Sequence, residues 1–223
     1  MKIKKNNIIF TLCISTMLGI IVGILNLNNY NLDNHNTELY NNLPVTRAHG
    51  MKMYDTSTPE KAIGISDYVF VAKINKILRT EYKNQIQIKD DNKVKTISSD
   101  PYTIYEIEVL DNIKGYLKTN EPIEFMQYGG LNEDGKSYIF MDNGELLNEG
   151  EYYILMADIW KSQHGETIEA SETDRIIQLG SSYNATVRNG LISEYKRAFM
   201  HQEIPSNKNI TNNLSKYDIN YIE

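Results

Sequence analysis

Four things are scarce in this 223-residue chain, and each scarcity removes a class of function. There is a single cysteine, Cys13, so neither a disulfide framework nor a Cys/His zinc site of the usual spacing can be built. There are only four histidines, His35, His49, His164 and His201, and no two fall in an H-x-x-x-H pair. A basic excess is missing as well: the formal net charge is −6, and no Lys/Arg stripe offsets it. Nucleic acid and anionic lipid surfaces would both be repelled. Finally there is no G-x-S-x-G elbow, and the only thiol lies in an apolar run, so ordinary nucleophilic catalysis has no visible parts. The chain is read as a non-enzyme without cofactor or metal.

The one long hydrophobic run is at the start. Lys2, Lys4 and Lys5 precede Ile8 to Leu25, a stretch without charge. At about 1.5 Å per residue it is long enough to cross a hydrocarbon core of about 30 Å. The lysines place the rest of the chain outside the cell. Residues 1–25 are therefore a cleaved signal peptide or an uncleaved signal anchor, and the second form would tether the protein to the membrane through residues 8–25. The expected location is the cell membrane with an extracellular C-terminal domain, or the medium, of a low-GC Gram-positive bacterium. An exported portion free of cysteine fits that source. Asn, Leu and Tyr dominate the next stretch, and residues 26–56 read as an extracellular linker. Within it Leu43-Pro44-Val45-Thr46-Arg47 has the form of a sortase signal, but no hydrophobic tail follows.

From residue 57 the signals become those of a folded domain. Thr58-Pro59-Glu60 supplies an N-cap, a first-turn proline and an acid at the positive end of a dipole, so a short helix is expected over residues 59–65. Tyr68 to Leu78 is apolar on both faces in its first half, as in a strand covered on two sides. In Thr103 to Leu110, Tyr105, Ile107 and Val109 alternate with Glu106 and Glu108. Pro122 to Gln127 is the partner strand, and Asp111, Asn112 and Gly115 supply the connection. Residues 85–89 and 94–98 read as the arms of an exposed hairpin with Asp90, Asp91 and Asn92 at its tip. Further strands are expected at 137–141, 152–159 and 175–179, with Trp160 closing one of them against the core, and a loop at 163–174. Leu191, Tyr195 and Phe199 recur at helical spacing, giving a C-terminal helix, and residues 206–223 read as a flexible tail. The fold class is all-β, a barrel of five to seven strands with a short helix before it and one after, occupying residues 57–205.

The succession SDYVFVAKINKI, PYTIYEIEVLDNIKG, PIEFMQYGG and GEYYILMAD resembles the five-stranded oligonucleotide/oligosaccharide-binding (OB) barrel of netrin-type and metalloprotease-inhibitor-like modules found in bacterial surface proteins, over residues 57–180. In those inhibitors the module begins with a cysteine whose amino group and carbonyl chelate the protease zinc. No such cysteine is present, so the resemblance implies the barrel without that mechanism.

The acidic turns Asn132-Glu133-Asp134-Gly135 and Asp142-Asn143-Gly144-Glu145 lack the D-x-D-x-D-G spacing of a calcium loop and read as turn chemistry. Glu106 and Glu108, about 7 Å apart at the i, i+2 separation, read as a solvated face rather than a glycosidase pair. What remains is binding. The expected contacts are the tyrosines on the strand faces, Tyr102, Tyr105, Tyr128 and Tyr138, together with the hairpin at 85–98, and the expected partner is an extracellular protein or an envelope glycan. The alternative is a secreted inhibitor or immunity-type protein that occludes an enzyme or toxin.

Overall fold

The computed structural model describes residues 43–223 except 91–92, 120, 163–164, 171, 182–184, 209–213 and 222–223. The expected leader at 1–25 with Cys13, the first part of the linker with His35, the hairpin tip at Asp91-Asn92, and His164 all lie outside the described residues. No helix among the described residues is long and apolar enough to cross a membrane.

Among the described residues there are nine strands and two α-helices. β1 (Val45–Ala48) is followed by α1 (Pro59–Ile65), then β2 (Tyr68–Asp90), β3 (Lys93–Lys114), β4 (Pro122–Tyr128), β5 (Gly130–Leu131), β6 (Tyr138–Met141), β7 (Tyr152–Ser162), β8 (Gly165–Ala170), β9 (Ile176–Gly180) and α2 (Ala185–Met200). β2, β3 and β4 form an antiparallel meander, β4 pairs in parallel with β8, β8 pairs antiparallel with β7, and β7 returns to β2. The ladder therefore closes on itself as a five-stranded barrel, with β9 added on β7. β1, β6 and β5 make a small separate sheet.

Two apolar layers follow from strand alternation. Phe70, Ala72 and Ile74 of β2, Tyr105, Ile107 and Val109 of β3, Ile123 and Phe125 of β4, Ile168 of β8 and Leu155 of β7 fill the barrel. The residues between them on β2 and β7, Val69, Val71, Ile154 and Met156, lie outside it and are covered by Ala62 and Ile63 of α1 and by Tyr195 and Ala198 of α2. That second layer is why the start of β2 is apolar on both faces. Thr58 caps α1 as expected, accepting from the Lys61 amide. Asn112 likewise closes the β3–β4 connection: its side chain donates to the Leu117 carbonyl and accepts from the Leu117 amide.

Several expectations are corrected. The arms expected at 85–89 and 94–98 do pair with one another as a hairpin; what differs is their extent, since they are the far ends of β2 and β3, which run for 23 and 22 residues through a series of register shifts. One shift spans Asn84, held at φ 51°. The linker expected at 26–56 is structured in its last part. β1 pairs in parallel with β6, and Lys52 and Thr56 both bond Asp174. The expected loop at 163–174 holds β8, a member of the barrel. The tail expected at 206–223 is fastened across the barrel end. Ser215 and Asp218 are buried, the Lys118 amide donates to the Tyr217 carbonyl, and the Ile219 amide donates to the Tyr116 carbonyl. Trp160 does not close on the core; it is 53% exposed.

Gly64 shows how tightly the helices are seated. A Cβ there would stand 1.9 Å from the Glu203 carbonyl oxygen, in the segment that follows α2, whose Glu203 amide donates to the Glu60 carbonyl. Gly64→Ala is expected to cost about 2 kcal/mol by overpacking, despite alanine's better helix propensity. A urea unfolding midpoint equal to or above that of the parent would show that this contact gives way freely.

Candidate functional site

The outer face of β3, β4, β8 and β7 carries the side chains that alternation turns away from the core. Across the first pair, Ile104 lies opposite Met126 and Glu106 opposite Glu124. β8 continues the row, with Glu169 opposite Met126, and β7 ends it, with Asp158 opposite Glu169 and Trp160 opposite Thr167. Two residues beyond Ile104 and Met126, Tyr102 and Tyr128 meet edge to face, with ring centroids 5.2 Å apart and planes at 84°. Lys83 of β2 reaches over this corner. Its ammonium is 4.8 Å from the Tyr102 ring centroid and 2.8 Å from the Met126 sulfur. Ile104 and Met126 point outward and are nevertheless buried, and the Lys83 ammonium lies on the Met126 sulfur.

The four predicted tyrosines separate accordingly. Tyr102 and Tyr128 are half-buried and share this corner. Tyr105 is completely buried beside Phe125; its hydroxyl donates to Gln127 and accepts from the Leu147 amide, so it contacts no partner from there. Tyr138 is buried in the small sheet, stacked on Phe140 at 5.8 Å. Both leave the list of contacts. Trp160, Glu169 and Lys83 were not among the predicted residues. The signal for Trp160 was available, since alternation with the inward-facing Ala157 and Ile159 puts residue 160 on the opposite face. Glu169 had no signal at all, because its strand was unrecognised.

Charge on this face is mostly neutralised in place. Lys76 pairs with Glu106 at 3.4 Å, and Arg79 grips Glu124 with two bonds of 2.9 and 3.1 Å. Asp158 is held by Arg175 at 2.6 Å and by Lys208 at 3.4 Å. Burial works to raise the Asp158 carboxyl, but Arg175 and Lys208 outweigh it and hold it below the ordinary carboxylate range. Glu169 differs from these three: among the described residues no cation lies within ion-pair distance of it. Burial, with Asp158 adding to it, pushes its carboxyl up to about 7, against the pull of Lys83 and Arg175. The Tyr102 hydroxyl is raised too, by burial first and then by Glu169 and Asp100. The Glu169 carboxyl therefore titrates near neutral pH, on a face where Glu106, Glu124 and Asp158 are already paired.

In chain order the barrel strands are β2, β3, β4, β7 and β8; the third and fifth pair in parallel, and the first and fourth close the ring. The barrel is OB-like. Neither a family model nor a curated protein sequence matches the chain. Among solved structures it is similar to the OB domain of Ta0387 from Thermoplasma acidophilum, with 12% identity, a TM-score of 0.27, and coverage of 61% of this chain and 87% of that domain. A likeness at that level carries no argument about activity, and the OB-like reading rests on the strand pairing.

Other clusters are structural. Arg175 is buried, donating to Asp158 and at 2.9 Å to Ser66, and ties β7 to the C-cap of α1. His49 lies 3.0 Å from Asp142, but its side chain is mostly exposed on the small sheet.

Proposed function

We propose that this protein is a non-catalytic binding module, presented outside the cell on an N-terminal membrane segment or released from it, whose OB-like barrel holds an extracellular protein or envelope glycan on the outer face of β3, β4, β8 and β7. The observation that carries the reading is the placing of aromatics at the two ends of one face, the half-buried pair Tyr128 and Tyr102 at one end and the exposed Trp160 at the other. Strand and residue spacings put these ends roughly 16 Å apart, the span of about five extended residues or three to four sugar rings. Aromatic rings supply contact area at low entropic cost, and the acids between them are mostly paired already, which suits recognition better than proton transfer. The netrin-type relationship belongs to this proposal, without the zinc-chelating cysteine.

The chain contains one tryptophan, so its emission reports on this face alone. Titration of the full chain with solubilised cell-wall glycan fragments and with extended oligopeptides is expected to shift Trp160 emission for one of the two classes. Tyr128→Ala is expected to weaken that binding about tenfold. Binding of either class with unchanged tryptophan emission and no sensitivity to Tyr128→Ala would place the interaction elsewhere and end this reading.

A further inference from the structure

We propose that the corner formed by Tyr102, Tyr128 and Glu169 is a receptor for a primary ammonium group of the ligand, and that Lys83 occupies it as an internal stand-in until the ligand arrives. The inference rests on the binding face proposed above and names what one end of that face recognises.

The elements are those by which proteins hold alkylammonium groups: aromatic faces to attract the cation, a carboxylate to balance it, and partial burial to strengthen both. Tyr102 and Tyr128 stand nearly perpendicular, so a side chain lying against one ring also meets the edge of the other. Glu169 sits opposite Met126 on the neighbouring strand, and Met126 lies under the Lys83 ammonium. The occupant already present is itself a primary ammonium. Lys83 lies over the Tyr102 ring yet closes no ion pair with Glu169, whereas Glu106, Glu124 and Asp158 of the same row each have a basic partner. An acid left half-buried without a partner is costly to the fold, and a ligand cation would relieve that cost. Lys83 is on the long β2 ribbon, paired with Asp100 of β3 and outside the barrel ladder, so it can swing away without breaking the closed sheet. The charged groups that act on Glu169 from neighbouring elements are Lys83 on β2, Asp158 on β7 and Arg175 just before β9, and the Tyr102 hydroxyl on β3 feels its charge in turn. Among these Lys83 is the cation free to leave, since Arg175 is fixed by Asp158 and Ser66.

A primary ammonium can come from a lysine side chain or from a de-acetylated amino sugar, and the test separates them. The full chain is titrated with tri-lysine, with glucosamine trimer, and with the N-acetylated form of each, following side-chain NMR signals of Tyr102, Tyr128 and Lys83. The expected result is that an amine probe perturbs these signals while its acetylated form does not. Tri-lysine alone would identify a basic protein partner, and glucosamine trimer alone an amino-bearing glycan. Glu169→Gln is expected to weaken amine binding about tenfold, and Lys83→Ala to strengthen it about threefold by removing the competitor. A merely structural lysine would not give that gain. Amine and acetylated probes that act equally, or a Lys83→Ala variant that binds no better, would overturn the proposal. If an extended ligand still shifts Trp160 emission and loses affinity in Trp160→Phe but not in Glu169→Gln, the face stands and the ammonium corner fails.

Discussion

Asp218→Ala is expected to free the C-terminal segment from the barrel and to lower stability by about 3 kcal/mol. Asp218 is buried at the end of the barrel, where its carboxylate accepts from the Tyr68 hydroxyl and, at 2.7 Å, from the Ser215 amide. The Ser215 amide also reaches the Tyr68 oxygen at 3.1 Å, and the Ser215 hydroxyl donates to Glu166 at 2.6 Å. Hydrogen bonds to a buried charge are worth about 1.5–3 kcal/mol each, and removing the acceptor leaves the buried Tyr68 hydroxyl with no acceptor for its proton and the Ser215 amide with only its longer bond to the Tyr68 oxygen. Burial and the bond to Asp218 hold the Tyr68 hydroxyl far above its ordinary range, so it keeps its proton and remains the hydrogen-bond donor to Asp218. Tyr68→Phe should reproduce much of the loss, because Asp218 then stays buried with one partner gone. The measurement is urea unfolding together with limited proteolysis, in which cleavage at Tyr217 and Tyr221 should appear in the variant well before global unfolding. An unchanged midpoint with a protected tail would show that the apolar contacts of Leu117 and Tyr217, which pack on the barrel core, suffice as the anchor.

Glu169→Gln is expected to raise stability at pH 8 by about 2 kcal/mol and to leave it nearly unchanged at pH 4. The sign follows from which state holds the proton more tightly. The carboxyl titrates near 7 in the fold against an ordinary value of 4.5, so the folded state keeps its proton to higher pH than the unfolded chain. Below pH 4.5 both states are protonated and there is no cost. As pH rises toward 7 the unfolded chain ionises first, stability falls, and above 7 the loss is constant. A tenfold difference in proton affinity between the two states is worth about 1.4 kcal/mol, which partial exposure reduces. Glutamine cannot ionise and escapes the cost. Urea midpoints of the two chains at pH 4, 6 and 8 should therefore diverge as pH rises; parallel or converging curves would show that Glu169 is not held against its charge. A stability gain together with lost amine binding would mark a residue kept for function at the expense of the fold.

Locally encoded features were legible in the sequence. The cap at Thr58, the Asn112 turn, the doubly covered start of β2 and the inward face Tyr105, Ile107, Val109 all came from residues within a few positions of one another. The same period of two already separates Tyr102 from Tyr105, because an odd offset along a regular strand puts them on opposite faces. β8 was missed because GETIEA has one large apolar residue, Ile168. It becomes a barrel strand only where β4 and β7 leave an opening between them. β1 was read as linker because its partner β6 is more than 90 residues away.

Residue order alone was enough for an all-β domain with a helix on either side and for its inner apolar face. Folding was needed to settle which tyrosines keep some exposure, that Trp160 looks outward, that the tail around Ser215 to Ile219 is fastened to the barrel, and that Glu169 has no basic partner among the described residues. The reason is that burial and charge pairing are sums over neighbours brought together by strand closure. Met126 and Glu169 are 43 positions apart in the chain and directly opposite in the sheet.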